Sequence, residues 1–436
     1  MASEGSRDQM IFVQPRLDRL SNLPGELINN ILKLVPIRDA VRTSVLSWDW
    51  RYKWMTIPEL IFNACPILPS RSSERQTYNK LVDIINHVVF LHKGVLDKFE
   101  MHMHMKSSYK HVDRWILLLE RKFVKEVLLE FSGVDRYNIP SSLFLCQSLQ
   151  QLKLHHCILK SLFRTKGFDS LVDLDLNGVT LTMETIANLI SNSRQLQKLT
   201  LMNCDGFHRL YICAPNLRIF YFNGPCGDIY FDNCPKLIDA YIGLLPVLSG
   251  SLPPNFLGKS TKRLELVLAG VHRVEKLFIS EHFMEILAAC VAPKKLHTTY
   301  HHLRDLSLVM KNLANSKEFL TAICLFRSSP YMQKLTIISS STEQSGLLTE
   351  DEFQNACLNR EELIFPELKT VTLCGFKGMN HELIFVKFIL MNAGKLRTMS
   401  ITWDATVEVG FCRAHILQKM MEFQRASPTA VVKFLV

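Results

Sequence analysis

The side chains of this sequence best suited to chemistry are its paired histidines: His102 with His104, His155 with His156, and His301 with His302. Cys157 directly follows the second pair. Imidazole and thiolate groups hold transition metals when three or four converge, and Cys-x-x-Cys or His-Glu-x-x-His spacing achieves that locally. Neither spacing occurs. His102 and His104 share one face of an alternating strand whose other face carries Met101 and Met103, which reads as a solvated strand. Asp173 and Asp175 imitate the paired carboxylates of general acid–base catalysis. On a strand they share one face, and they read as part of a solvated binding surface. The sequence has no Gly-rich phosphate loop, no G-x-S-x-G elbow and no cysteine in a nucleophile context. No catalytic residue, metal or cofactor is expected.

A repeat positions these residues. LQQLKLHHC (149–157), LVDLDLNGV (171–179) and LQKLTLMNC (196–204) each read L-x-x-L-x-L-x-x followed by a small or apolar residue. Weaker copies are LRIFYF (217–222), IYFDNC (229–234), VEKLFI (274–279), LRDLSL (303–308), MQKLTI (332–337), LKTVTL (368–373) and LRTMSI (396–401). This is the leucine-rich-repeat pattern, one strand per repeat on the inner face of a curved solenoid. Leu152 and Leu174 are 22 residues apart, Leu174 and Leu199 25. Both fit a unit of roughly 20 to 29 residues. Later spacings lengthen to 29 from Leu277 to Leu306 and 36 from Leu335 to Val371, so the solenoid is irregular. A polar insertion at 339–362 is expected to be a loop.

Period two sends alternate side chains away from the buried leucines. The predicted binding face is therefore Gln151, Lys153 and His155; Asp173, Asp175 and Asn177; Lys198, Thr200 and Met202; and Asp305 with Ser307. Cys157, Cys204 and Cys234 fall at the repeat position that takes Asn or Cys for packing.

The segment Leu23–Trp54 is different. Leu27, Ile28, Ile31, Leu32 and Val35 recur at helical spacing, with Ser21 or Asn22 as cap, Pro24 in the first turn and Pro36 as stop. A second short helix follows from about Arg38, and a third is predicted through Trp48, Trp50 and Trp54. Three short helices have few internal positions, so much of this apolar surface faces a partner. Residues 61–78 read as a Pro-, Ser- and Arg-containing connector. Helices are expected over the stretch around Leu81–Val89 and over Asp113–Arg121.

Leu23, Pro24, Glu26 and Leu27, the run Asp39–Ser47, and Trp50 with Trp54 resemble a plant-type F-box, which opens LPxEL and continues through DAVRTSVLS. The chain departs from that pattern in carrying Trp48 and Asp49 where basic residues are usual. FPELKTVTLCGFKGMNHELIFVKFILMNAGKLRTMSI (365–401) resembles the FBD motif, through Phe365, Pro366, Leu368, Leu373, Phe376, Gly378, Glu382, Leu383, Phe388, Leu390, Asn392 and Ala393. The implied fold class is α/β: a three-helix F-box, an irregular leucine-rich-repeat solenoid whose parallel strands line a horseshoe, and an FBD-like end. The expected division is a tail (1–16), the F-box (17–57), a connector with leading helices (58–122), repeats (123–338), the insertion (339–362) and the FBD-like repeat and cap (363–436). By the resemblance, Leu23, Pro24, Glu26, Leu27, Ile31, Val45, Leu46 and Trp50 dock on a Skp-type adaptor, which joins a cullin. The repeats would hold an unidentified protein substrate for ubiquitination.

Bulk properties agree with this reading. No run reaches the roughly 18 to 20 uncharged apolar residues a membrane helix needs, so a soluble intracellular protein of nucleus or cytoplasm is expected. Twelve cysteines in 436 residues are too dilute for a disulfide scaffold. The net charge of +10 admits a second reading, a nucleic-acid or chromatin scaffold. The basic residues are spread rather than clustered, which favours an acidic protein partner over nucleic acid.

Overall fold

The computed structural model describes residues 20–63, 74–104, 110–133, 136–160, 168–225, 228–245, 264–290, 298–311, 315–339, 364–405 and 411–435. The predicted tail and nearly all of the 339–362 insertion lie outside them. The chain divides into two units, Met1–Met101 and His102–Val436.

In the first unit, helix α1 spans Gly25–Lys33 and α2 spans Ile37–Arg42, followed by single 3-10 turns at Thr43–Val45 and Lys53–Thr56. Pro24 and Pro36 occupy the N-cap positions of α1 and α2, with φ −53° and −54°. The ring presets the extended backbone that leads into each helix. The Pro24 carbonyl accepts the Leu27 and Ile28 N–H groups. Ser21 is therefore not the cap; its hydroxyl accepts the Trp50 indole N–H at 2.9 Å. The predicted third helix is instead a turn followed by the 3-10 turn. The core takes Ile28 and Leu32 from α1, Ile37 and Ala40 from α2, then Trp50, Trp54, Met55 and Ile57. Strand β1, Glu59–Asn63, runs into the stretch 61–78 read as a connector, and the helix expected around Leu81–Val89 begins within that stretch and spans Glu74–Leu91. Strand β2, Lys98–His104, packs Phe99 against Phe62 of β1, ring centroids 5.8 Å apart.

The second unit is built on one parallel sheet. Its strands are β3 Glu126–Ser132, β5 Gln151–His155, β7 Asp173–Asn177, β9 Lys198–Met202, β11 Ile219–Gly224, β13 Asp239–Leu244, β14 Lys276–Ile279, β15 Asp305–Met310, β16 Lys334–Ser339, β17 Thr370–Phe376, β18 Thr398–Trp403 and β19 Val431–Leu435, in that spatial order. The leucines set the register: Leu152 pairs Leu174, which pairs Leu199, and the long spacings end in the same way, Leu277 on Leu306 and Leu335 on Val371. Two small sheets flank it, β4 Tyr137–Asn138 with β6 Cys157–Leu159 and β8 Thr180–Leu181, and β10 Arg209–Cys213 with β12 Asp228–Asp232. The segment IYFDNC is thus β12 of a flanking sheet and not a copy of the main strand. The main strand there is β13, whose DAYIGL carries Ala240 and Ile242 at the buried positions. Helices Lys110–Arg121, Met183–Asn192, Glu281–Cys290, Ser316–Arg327, Asn380–Asn392 and Phe411–Met421 lie between strands. Leu152, Leu154, Leu174, Leu176, Leu199 and Leu201 are fully buried, while the residues between them face the open side of the sheet.

Candidate functional site

Two surfaces follow, one in each unit. In the first, Leu27 and Ile31 lie one turn apart on α1 with their side chains exposed, while Ile28 and Leu32 of the same helix are buried. One stripe therefore fills the core and a second is left for another surface. Pro24 and Glu26 are exposed and Leu23 is half-buried. Val45 and Leu46 are 86% and 68% exposed. Trp50 departs from the expectation: at 7% exposure, with its indole N–H on Ser21, it belongs to the core. The ring that faces out is Trp48, 81% exposed, with the Arg51 guanidinium 4.9 Å from its centroid. Leu34 is equally open at 85%. Neither residue is in the docking set expected from the sequence, which takes Trp50 from the three tryptophans, although Trp50 and Trp54 are spaced to share a side that Trp48 does not.

In the second unit, register aligns the predicted binding residues in rows across β5, β7 and β9. Gln151, Asp173 and Lys198 form one row, Lys153, Asp175 and Thr200 the next, and His155, Asn177 and Met202 the third. Lys198 Nζ lies 3.5 Å from Asp173 Oδ2. Burial pushes the Asp175 carboxyl up, Asp173 adds to the rise, and His155, Lys198 and Lys153 oppose it. Thr200 is the exception on this face: it is 8% exposed, a short side chain between Asp175 and Tyr221 in register, and is withdrawn from solvent. Asp305 and Ser307 stand four strands further along from β9, on β15, in the same first and second rows. Asp305 Oδ2 holds Lys334 Nζ at 2.9 Å.

The histidines divide by position. His155 faces the open side, 3.7 Å from Glu130 Oε2, and His102 Nδ1 meets the same oxygen at 2.8 Å. The face of β2 is thus hydrogen-bonded to Glu130 as well as solvated, and Met101 and Met103 are buried behind it. The His104 side chain lies outside the described residues. His156 occupies the corner after β5 at φ 56°. Among the described residues, no group of three or more His, Cys, Asp or Glu is placed to hold a metal ion. Cys157 and Cys204 are buried, and burial pushes both thiols up to about 12. The Cys204 thiol reaches the Leu176 carbonyl at 3.3 Å, so it links one repeat to its neighbour.

The second row also holds residues that the sequence reading passed over. Thr200 is followed in register by Tyr221, Tyr241 and Phe278, and then by Ser307. The Tyr241 and Phe278 rings stack 4.3 Å apart, and Tyr221 meets Tyr241 edge-on at 6.2 Å. The Tyr221 hydroxyl donates to Asp239 Oδ2 at 3.3 Å. Their sequences, IFYFN, DAYIG and KLFI, are apolar on both faces, so period-two alternation is invisible there.

The comparisons with known proteins divide the chain in the same sense. A family model described as FBD-associated F-box protein At5g56370, LRR repeats, matches residues 112–337. The F-box domain model matches residues 20–61 and the FBD model residues 366–401. The chain is similar to the F-box/FBD/LRR-repeat protein At1g13570 of Arabidopsis thaliana, 32% identical across 96% of this chain and 98% of that protein. It is also similar to the FBD-associated F-box protein At4g10400 of the same plant, 23% identical across 96% of this chain and 100% of the relative. The F-box/FBD/LRR-repeat protein At3g26920 is 26% identical across 87% of this chain and 88% of its own.

Proposed function

Given that the chain belongs to the plant F-box/FBD/leucine-rich-repeat family, we propose that it is the substrate-recognition subunit of a cullin-based ubiquitin ligase. Its F-box docks on a Skp-type adaptor and its repeats hold a protein substrate. The observation that carries this reading is the double use of α1: Ile28 and Leu32 fill the core of the first unit while Leu27 and Ile31 stand exposed beside it. Apolar surface of that kind, with Val45, Leu46 and Trp48, is stabilised by removal from water against a partner. In the proposed division, residues 17–57 dock and 123–338 with 363–436 recognise. The chain performs no chemistry of its own; it raises the effective concentration of substrate lysines near an activated ubiquitin. No catalytic family is indicated, and no helix among the described residues is long and apolar enough to cross a membrane.

The test is reconstitution from purified components. Mixed with a Skp-type adaptor and a cullin, the full chain is expected to elute from a sizing column as one stoichiometric complex that persists at high salt. A chain that stays free of the adaptor overturns the proposal. Binding to bulk DNA or RNA that falls steeply between about 50 and 200 mM salt would instead favour the nucleic-acid scaffold suggested by the charge of +10.

A further inference from the structure

The stacked pair Tyr241 and Phe278 covers only one face of the Phe278 ring. Its other face is turned toward β15, where the residue in register is Ser307, too short to cover a phenyl ring. Beyond Ser307 the same row continues with Thr336, Thr372 and Ser400, all half-buried and all short. Large side chains thus give way to small ones between β14 and β15. The result is a trough on the open face, walled by the Phe278 ring and floored by four hydroxyls in register.

The borders of the trough say what fits it. On one side Asp305 stands in register between Lys276 and Lys334 and holds Lys334 Nζ at 2.9 Å. On the other side, Val309 and Ile338 pair in register and are half-buried. Among the described residues, no ionisable side chain stands in the hydroxyl row from Ser307 to Ser400 or in the Val309–Ile338 row, and the first one along the hydroxyl row is the exposed Lys433 of β19, beyond Ser400. The opposite end of the same sheet is the reverse, with Lys153, Asp175, His155 and Glu130 on β3, β5 and β7. A charge buried against the four hydroxyls would lose its hydration with no opposite charge between Ser307 and Ser400 in that row, whereas an apolar side chain against Phe278 gains by leaving water. Hydroxyls both donate and accept, so the floor can serve the N–H and C=O groups of a peptide backbone.

We infer that this trough is the anchoring subsite for an extended, uncharged stretch of polypeptide that seats an aromatic or leucine side chain on the open face of Phe278. The inference rests on the reading of the repeats as the substrate-holding part, and it moves the anchor from the charged β5–β9 region to β14–β18.

The probe is a random twelve-residue peptide library displayed on phage, selected against the full chain purified with a Skp-type adaptor. Enriched peptides are expected to share an uncharged window containing Phe, Trp, Tyr or Leu, with affinity unchanged between about 50 and 500 mM salt. Phe278→Ala should weaken the best peptide at least 10-fold, and Ser307→Trp, which fills the trough without removing the ring, should weaken it as much. Tyr211→Ala, at an exposed ring on the flanking strand β10, should leave it unchanged. Enrichment of charged, salt-sensitive peptides overturns the inference, as do peptides indifferent to both trough variants, or no enrichment at all. Self-association abolished by Phe278→Ala would place a second copy in the trough and overturn it equally. Adaptor binding, read on the same preparations, separates these failures from failure of the ligase reading: a preparation that holds the adaptor but selects no peptide refutes only the trough.

Discussion

His156, Gly178 and Asn203 take φ 56°, 63° and 54°, each at the corner that follows a main strand. Their amides donate to the next repeat, His156 to the Asn177 carbonyl and Gly178 to that of Met202, both at 2.8 Å. Asn tolerates this left-handed conformation and glycine adopts it freely. At 178 there is a further constraint, since an added Cβ would stand 2.7 Å from His156 Nδ1. Gly178→Ala is expected to cost about 2 kcal/mol or more in chemical denaturation, partly recovered by adding His156→Ala. The buried thiols give a second residue-level expectation. Cys157 and Cys204 sit near 12 in the folded chain against an ordinary value of 9. Above pH 9 the unfolded chain releases these protons and the folded chain keeps them, so stability falls as pH rises from 9 toward 12. The loss is on the order of 1.4 kcal/mol per thiol per pH unit. At pH 8 a maleimide followed by mass spectrometry should label the exposed Cys213 at once and Cys157 and Cys204 only on unfolding.

At the scale of the element, the FBD segment is one strand–turn–helix repeat, and its characteristic residues form the turn. Glu382 is buried, and its Oε2 accepts the backbone N–H groups of Lys377 and Met379 at 2.9 Å each. Gly378 between them has φ 76°, and a Cβ there would collide with Ile416. The β15 repeat, two strands earlier, uses the same device, with buried Glu318 accepting from Lys311 N–H at 3.1 Å. Glu382→Ala should destabilise the chain by about 2 to 4 kcal/mol by leaving two amides unsatisfied. Glu382→Gln keeps an acceptor and should cost less, which paired urea melts would resolve. Elements of this kind were legible because leucine spacing and capping residues are local signals. The strand β13 was not, since Ala240 and Ile242 stand where the repeat takes leucine. The turn through Trp48–Arg51 was misread as helix because tryptophans four apart satisfy helical spacing even when the chain between them only turns. β19 was missed as well: Val431, Lys433 and Leu435 alternate too weakly against solvent to stand out.

For the molecule as a whole, the parallel sheet distributes its chemistry unevenly. The second row is charged on β5 and β7 and aromatic or hydroxyl from β11 to β18, while the first row stays charged along β13–β16 with Asp239, Lys276, Asp305 and Lys334. The charged half was legible from the sequence because period two separates polar residues from leucines; the aromatic half was hidden because rings occupy both faces. Replacing Lys153, Asp175 and Lys198 together removes side chains that stand on the open side, so the fold should survive with an unchanged melting curve. Capture of a substrate that spans both halves should weaken, and unchanged capture would confine recognition to the trough. The first unit carries the claim on which everything else depends. Leu27, Val45 and Leu46 are exposed in the isolated chain and are proposed to be covered in the complex. Full burial of each such side chain contributes about 1.5 to 3 kcal/mol, concentrated in a few anchors. The most direct measurement is the calorimetric affinity of the chain for a purified Skp-type adaptor, with Leu27→Ala, Val45→Asp and Leu46→Asp introduced together and folding checked by circular dichroism. Tight binding by the parent chain and a loss of at least about 100-fold in the folded variant is the result predicted; equal affinity in the two proteins, or no binding by the parent, would contradict it.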